Sequence, residues 1–255
     1  MDLQKRTALI IGGTGDIGQA TARLFVEAGA RVIITGRQRG RAEAKAQLLG
    51  PSAHGRAVSP ADESDLRRFF GGIGAFDYLL LTLGTQSITL PFAQLTDGHL
   101  RDAMDSKYMA YTRTLRAALG YVQQSVTWLT GAAARTALPG LSNYAAPNGA
   151  LHAMMGPLAI ELAPIRINCV AAGLTHTAFW KNLGMSEAEE AAMFSESERH
   201  IPVGHTAQPE EIAEALFFAA TNTYTTGTVL DTCGGLQIGQ VSGHPDQTTF
   251  GSRQR

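Results

Sequence analysis

The stretch Thr7–Ala28, TALIIGGTGDIGQATARLFVEA, decides how the rest of the chain is read. Its first apolar run, Ala8-Leu9-Ile10-Ile11, is short enough for a buried strand. Gly12-Gly13-Thr14-Gly15-Asp16-Ile17-Gly18 follows, and within it lies Gly13-x-Gly15-x-x-Gly18. Ile17–Ala28 then has the spacing of an amphipathic helix. Glycine permits a tight turn and a close backbone approach, while the helix N-terminus behind it presents free N–H groups and positive dipole. A GxGxxG string alone is weak. Here a strand precedes it, a helix follows, and a second strand ends about 20 residues later, which is the order a dinucleotide-binding unit needs. A merely tight strand–helix turn is the plainer alternative.

The end of that second strand selects among dinucleotides. An acidic residue there would bind the adenosine 2′-hydroxyl. The chain instead reads Thr35-Gly36-Arg37-Gln38-Arg39-Gly40-Arg41, with three arginines and no carboxylate. Guanidinium groups suit a phosphate through charge-assisted bonds, so NADP(H) is expected over NAD(H), with Arg37 as the main contact. A solvated basic loop is the competing explanation.

Farther along, short apolar runs alternate with helical patterns. The runs are Ala8–Ile11, Val32–Ile34, Tyr78–Leu81, Val126–Leu129, Ile165–Val170 and Thr228–Leu230. The helices are expected at Ile17–Ala28, Arg41–Leu49, Glu63–Phe70, His99–Leu119, Asn143–Leu162 and Glu210–Ala220. This alternation predicts an α/β fold: one doubly wound Rossmann-type domain with a parallel sheet flanked by helices. The domain is expected over residues 1–239, and the polar segment 240–255 is expected to be a mobile tail. With 44% hydrophobic residues, a net charge of −1 and no basic field, the chain can build a core but is not expected to bind nucleic acid. No run is long enough to span a membrane and no secretory leader is visible, so a cytoplasmic protein is expected. Cys169 and Cys233 make no CxxC and read as reduced residues in apolar runs.

Several marks occur in order: the glycine loop, Phe76-Asp77-Tyr78-Leu79, Tyr144 at the start of a helix, and Pro164-Ile165-Arg166-Ile167-Asn168. Gly173 with Thr177, Pro209-Glu210-Glu211-Ile212-Ala213, and Thr226-Gly227 before Gly234-Gly235 complete the set. Over about Lys5 to Gly239 the chain resembles the short-chain dehydrogenase/reductase family. The resemblance implies hydride transfer between a nicotinamide and a carbonyl or alcohol, in a homodimer or homotetramer. It also implies cofactor contacts from Gly12, Thr14, Gly15, Asp16, Ile17, Arg37, Thr82, Gly84, Gly173 and Thr177. The chain departs from the family at Ile11, where Thr is usual, and at Asp16, where Gly is usual. It departs again at Ser59, in place of an adenine-binding Asp, and at Leu81-Thr82-Leu83-Gly84, in place of Asn-Asn-Ala-Gly.

The resemblance further implies a catalytic tyrosine, serine, lysine and asparagine. Tyr144 matches the tyrosine. The serine's place falls on Gly131 or Thr130, of which only Thr130 has a hydroxyl to polarise a substrate oxygen. Tyr144-Ala145-Ala146-Pro147-Asn148 puts Asn148 where the lysine belongs, and alignment of the preceding helix puts Lys107 where the asparagine belongs. The two residue types look exchanged. Lys107 lies on the stripe of Leu100, Met104, Tyr111 and Leu115, so it is expected to face inward toward polar groups of the site; snorkelling to solvent is the alternative. The charge matters: bringing a phenol from pKa ~10 to neutrality takes roughly 4 kcal/mol, and one ammonium about 5 Å away supplies roughly 3. Pro147 has no N–H and fits the first helical turn best, which predicts a helix starting near Tyr144.

Residues 176–206 are expected to form a substrate lid. Phe179, Trp180, Met185, Met193 and Phe194 suit a small apolar substrate, although ordinary packing helices would carry the same residues. Glu187, Glu189, Glu190, Glu196 and Glu198 read as a solvated face. His152, His176, His200 and His205 lack ligand spacing, so no metal is expected. The competing function is a dinucleotide-binding protein without turnover, acting as a sensor or partner subunit.

Overall fold

In the computed structural model, residues 2–182 and 185–239 are described. The expected tail, 240–255, and Leu183-Gly184 of the expected lid lie outside them. Seven parallel strands form one sheet, in the order β3-β2-β1-β4-β5-β6-β7. They are β1 (Thr7–Ile11), β2 (Arg31–Gly36), β3 (Ala53–Ala57), β4 (Phe76–Leu81), β5 (Val122–Gly131), β6 (Arg166–Ala172) and β7 (Val229–Thr232). The protein is a single α/β Rossmann-like domain with helices on both faces of the sheet.

Strand alternation sorts the core into two layers. Leu9, Ile11, Leu79, Leu81, Trp128 and Cys169 project to one face. There they meet Tyr111, Leu115, Leu151 and Met155 from α5 (Ala110–Ala118), α6 (Ser142–Ala153) and α7 (Met155–Glu161). Ala8, Ile10, Ile34, Leu80 and Val170 project to the other face, against Phe25 of α1 (Asp16–Glu27) and Ile212 and Leu216 of α10 (Pro209–Thr221). Strands buried on both faces need continuous apolar runs, which is why six were legible.

The seventh, β3, was not among the expected runs. It reads Ala-His-Gly-Arg-Ala and forms the sheet edge beside α2 (Arg39–Gln47). A Cβ built on Gly55 would lie 2.2 Å from the Ala42 carbonyl carbon, so backbone packs on backbone and no apolar side chains are needed.

Two expected helices are segmented. His99–Leu119 becomes α4 (Asp97–Met104), a π-helical turn at Asp105–Met109, and α5. Asn143–Leu162 becomes α6 and α7, meeting at Met154. The expectation that Pro147 lies in a first turn is also corrected, because α6 begins at Ser142 and Pro147 is inside it. The missing N–H would have bonded the Asn143 carbonyl. Ser87, buried in the loop after β4, donates to that carbonyl at 3.1 Å instead. This bond fastens the loop to α6.

Candidate active site

The sheet order reverses between β1 and β4, and their C-terminal ends open a crevice of the kind that holds ligands in such folds. Its floor is the glycine loop. Gly12 has φ +88°, and a Cβ there would lie 2.8 Å from the Thr82 carbonyl oxygen. One on Gly13 would lie 2.8 Å from Ile34 Cβ, and one on Gly18 2.7 Å from Gly13 Cα. Larger residues would therefore push the loop off the sheet. Gly15 caps α1 without any side-chain acceptor, leaving the first helical N–H groups for an anion. Thr14 sits against Gly36, Ile17 packs on the core, and Thr82 Oγ1 donates to the Ile11 carbonyl at 3.3 Å. At the end of β2, Arg39 is occupied by Glu43 at 2.7 Å. Arg37 is exposed and has no ion pair among the described residues.

Asp16 reaches across the crevice: its Oδ2 accepts from the Ala178 backbone N–H at 2.7 Å. This ties the glycine loop to the segment after β6, where Thr177 is half-buried, while Gly84 lies in the loop after β4 with open space around its Cα. Gly173 allows that segment to start close to β7, since a Cβ there would lie 2.8 Å from Cys233 Cα.

Beyond the crevice, α6 carries Tyr144 and Asn148 one turn apart. Asn148 Nδ2 donates to the Tyr144 carbonyl at 2.7 Å, and its Oδ1 accepts from the Gly131 N–H at 3.0 Å. Asn148 thus clamps the tyrosine helix to the end of β5. The Tyr144 Oη is buried with no hydrogen-bond partner among the described residues. Burial pushes the phenol's pKa up, and the nearby Thr89 hydroxyl offsets part of that without a bond of good geometry.

Lys107 sits in the π turn and faces inward, 5% exposed, which removes the snorkelling alternative. Its Nζ donates to the Leu83 carbonyl at 3.0 Å, the Leu129 carbonyl at 2.8 Å and the Tyr111 hydroxyl at 2.9 Å. All three ammonium hydrogens are used, and none goes to a carboxylate. Burial therefore lowers its pKa to about 7. Lys107 and Asn148 grip the same strand end, at Leu129 and Gly131, but no hydrogen bond joins Lys107 to Tyr144 or Asn148.

Thr130, between those two grips, is turned elsewhere. Its Oγ1 lies 2.7 Å from His152 Nε2 and 3.0 Å from Cys169 Sγ, and donates to the Val170 carbonyl at 3.2 Å. A Cβ on Gly131 would lie 3.6 Å from Asn148 Nδ2, so position 131 rather than 130 faces the clamp.

Over Tyr144 lies an aromatic row from the segment 176–206. Phe179 of α8 (Phe179–Asn182) stands edge-on to the Tyr144 ring at 6.4 Å, and Trp180 and Phe194 continue the row. Phe194 belongs to α9 (Glu187–Glu198), whose other residues are mostly exposed. Three parts of this site were missed in the sequence: the π turn, Ser87 and Tyr111. Tyr111 was read only as an apolar position; its place four residues after an inward lysine was the available signal. Among the described residues no group of His, Cys, Asp and Glu is placed to hold a metal ion.

The family profile described as "Enoyl-(Acyl carrier protein) reductase" matches residues 13–237. A short-chain dehydrogenase/reductase of Stachybotrys chlorohalonatus is 29% identical, covering 91% of this chain and 97% of its own length. A 3-oxoacyl-[acyl-carrier-protein] reductase of Vibrio harveyi is 30% identical over 93% of this chain and all of its own. The NADPH-bound structure of a short-chain oxidoreductase from Pseudomonas aeruginosa PAO1, described as containing an atypical catalytic center, superposes with a TM-score of 0.83. It is 26% identical, over 92% of this chain and 98% of that one.

Proposed function

Because this chain belongs to the short-chain dehydrogenase/reductase family, a family of NAD(P)H-dependent oxidoreductases, we propose that it is an NADP(H)-dependent reductase of a small, apolar carbonyl compound, or the dehydrogenase of the matching alcohol. NADPH in the crevice would supply the hydride. Gly12, Thr14, Gly15 and Ile17 would hold the pyrophosphate at the N-terminus of α1, and Arg37 the 2′-phosphate. Thr82, Gly84, Gly173 and Thr177 would line the nicotinamide end. The NADPH-bound Pseudomonas relative supports this choice of cofactor, and so does the unpaired Arg37.

The observation that carries the chemistry is the Tyr144 hydroxyl, buried beneath an aromatic cover with no hydrogen-bond partner among the described residues. Residues 176–206 act as the lid, and displacement of Phe179 admits substrate. Tyr144 then donates its proton to the carbonyl oxygen and takes it back in the reverse direction. Lys107 supplies the positive charge that the missing lysine at position 148 would have supplied, acting from the ends of β4 and β5. Asn148 holds Tyr144 in place through the Gly131 clamp. Thr130 reaches substrate only by rotating its hydroxyl away from His152. An NADPH-oxidation screen over ketones and aldehydes tests the reading: turnover is expected in the unaltered protein, with a loss of about 10³ in kcat for Tyr144→Phe and little change in NADPH affinity. A second reading, a cofactor-binding protein without turnover, is favoured by the engagement of Thr130 with His152 and Cys169. It predicts NADPH binding with no oxidation of any substrate.

A further inference from the structure

We infer that Tyr111 is a positioning residue: its hydroxyl fixes the Lys107 ammonium at the C-terminal ends of β4 and β5 and sets the pH range over which it stays charged. The inference rests on the reading in which Lys107 is the cation of the site. Tyr111 is fully buried, yet its hydroxyl is not idle. It accepts from Lys107 Nζ at 2.9 Å and donates to the Leu129 carbonyl at 2.6 Å, with the Leu81 carbonyl 3.0 Å away. The ammonium also lies 4.5 Å from the centre of the Tyr111 ring, so ring and hydroxyl both favour the charged form.

Lys107 lies in the π turn itself. Tyr111, four residues on in α5, lies on the same inward face, as i,i+4 spacing places it, next to the segment where the helix changes pitch. A π turn breaks the regular helical ladder, and such turns are frequent at functional sites. Tyr111 is braced from behind by the edge of Trp128 at 5.8 Å between ring centres.

The other titratable groups facing Lys107 cannot replace this hydroxyl. Cys169 on β6 is a neutral thiol at pH 7, its pKa pushed up to about 12 by burial. His152 on α6 is held below its ordinary value, chiefly by burial, and so is also largely neutral there. Asp105 in the same π turn is directed to Arg113 at 3.3 Å. The ammonium is thus stabilised by two carbonyls, one phenol and no anion.

The test is a titration of the full-length protein labelled with ¹³Cε-lysine. The chain has four lysines, Lys5, Lys45, Lys107 and Lys181, and Lys107 is the buried one. Its signal is assigned by its absence in Lys107→Met. Tyr111→Phe removes one of three acceptors without changing shape and is expected to lower the Lys107 pKa by about one unit. The kcat–pH limb that reports Lys107 should move by the same amount. An unmoved Lys107 signal in folded Tyr111→Phe overturns the inference. A moved signal with an unmoved kcat limb upholds Tyr111's hold on the ammonium and counts instead against a catalytic Lys107. Urea unfolding gives a second measurement: Tyr111→Phe should cost less in a Lys107→Met background than alone, whereas equal costs would show a merely structural tyrosine and overturn the inference.

Discussion

The two halves of the sheet treat their polar groups in opposite ways. In the β1–α1–β2 half, the buried hydroxyl of Thr35 accepts from the Gly12 N–H, charges stay outside, and close glycine contacts fix the geometry. In the β5–α6 half, a lysine, an asparagine clamp, Thr130 and Cys169 are buried, with half-buried His152 on Thr130, beside a phenol that has no hydrogen-bond partner among the described residues. The first half has no buried charged side chain among the described residues, and the start of α1 is capped by no side chain. The second buries an ammonium without an anionic partner, which is costly unless every hydrogen finds an acceptor. Such a cost concentrated at one end of the sheet coincides with the place where the proposed function puts its proton chemistry.

This difference has a measurable size. Lys107 has a folded pKa of about 7, below its unfolded value near 10.5. Between these values the unfolded chain binds more protons than the folded one, so stability rises with pH. Unfolding free energy should increase by about 2–3 kcal/mol from pH 7 to 9 through this group alone. Above pH 9, Cys169 and Tyr111, whose pKa values burial raises, work the other way. Urea unfolding of Lys107→Met should lack the rise from pH 7 to 9. An unchanged rise would mean that the buried charge is not its source, and the contrast between the halves would lose its energetic basis.

The cofactor half makes a smaller prediction. Arg37→Ala should weaken NADPH binding about tenfold, roughly 1.4 kcal/mol, while leaving NADH binding unchanged. Fluorescence titration with both cofactors measures this. Equal weakening of the two would assign Arg37 to general electrostatics, and no weakening would remove it from the site.

How far each half could be read from sequence follows from the same contrast. Glycine spacing and apolar runs express sterics and burial, which are local, so Gly13-x-Gly15-x-x-Gly18 and six strands could be read directly. The edge strand β3 escaped because Gly55 packs through backbone. The inward orientation of Lys107 followed from helical periodicity, but its partners did not. Two of them are main-chain carbonyls, one in the loop after β4 and one on β5, and the third, Tyr111, looked like any apolar position. The π turn has no composition of its own. Likewise, Pro147 inside α6 is tolerated because Ser87, distant in sequence, fills the vacated carbonyl. Asp16 stood out as a departure from the family, yet its bond to Ala178 depends on how the segment after β6 folds back.

In the proposed function, Lys107 provides the working cation of a site whose expected lysine position holds Asn148. The most direct measurement is kcat for Lys107→Met, on whichever carbonyl substrate the screen identifies, with NADPH affinity determined on the same preparation. A loss of at least about 100-fold in kcat is expected, with affinity for NADPH within about threefold of the unaltered protein. Unchanged kcat in a folded, NADPH-binding Lys107→Met protein would contradict it.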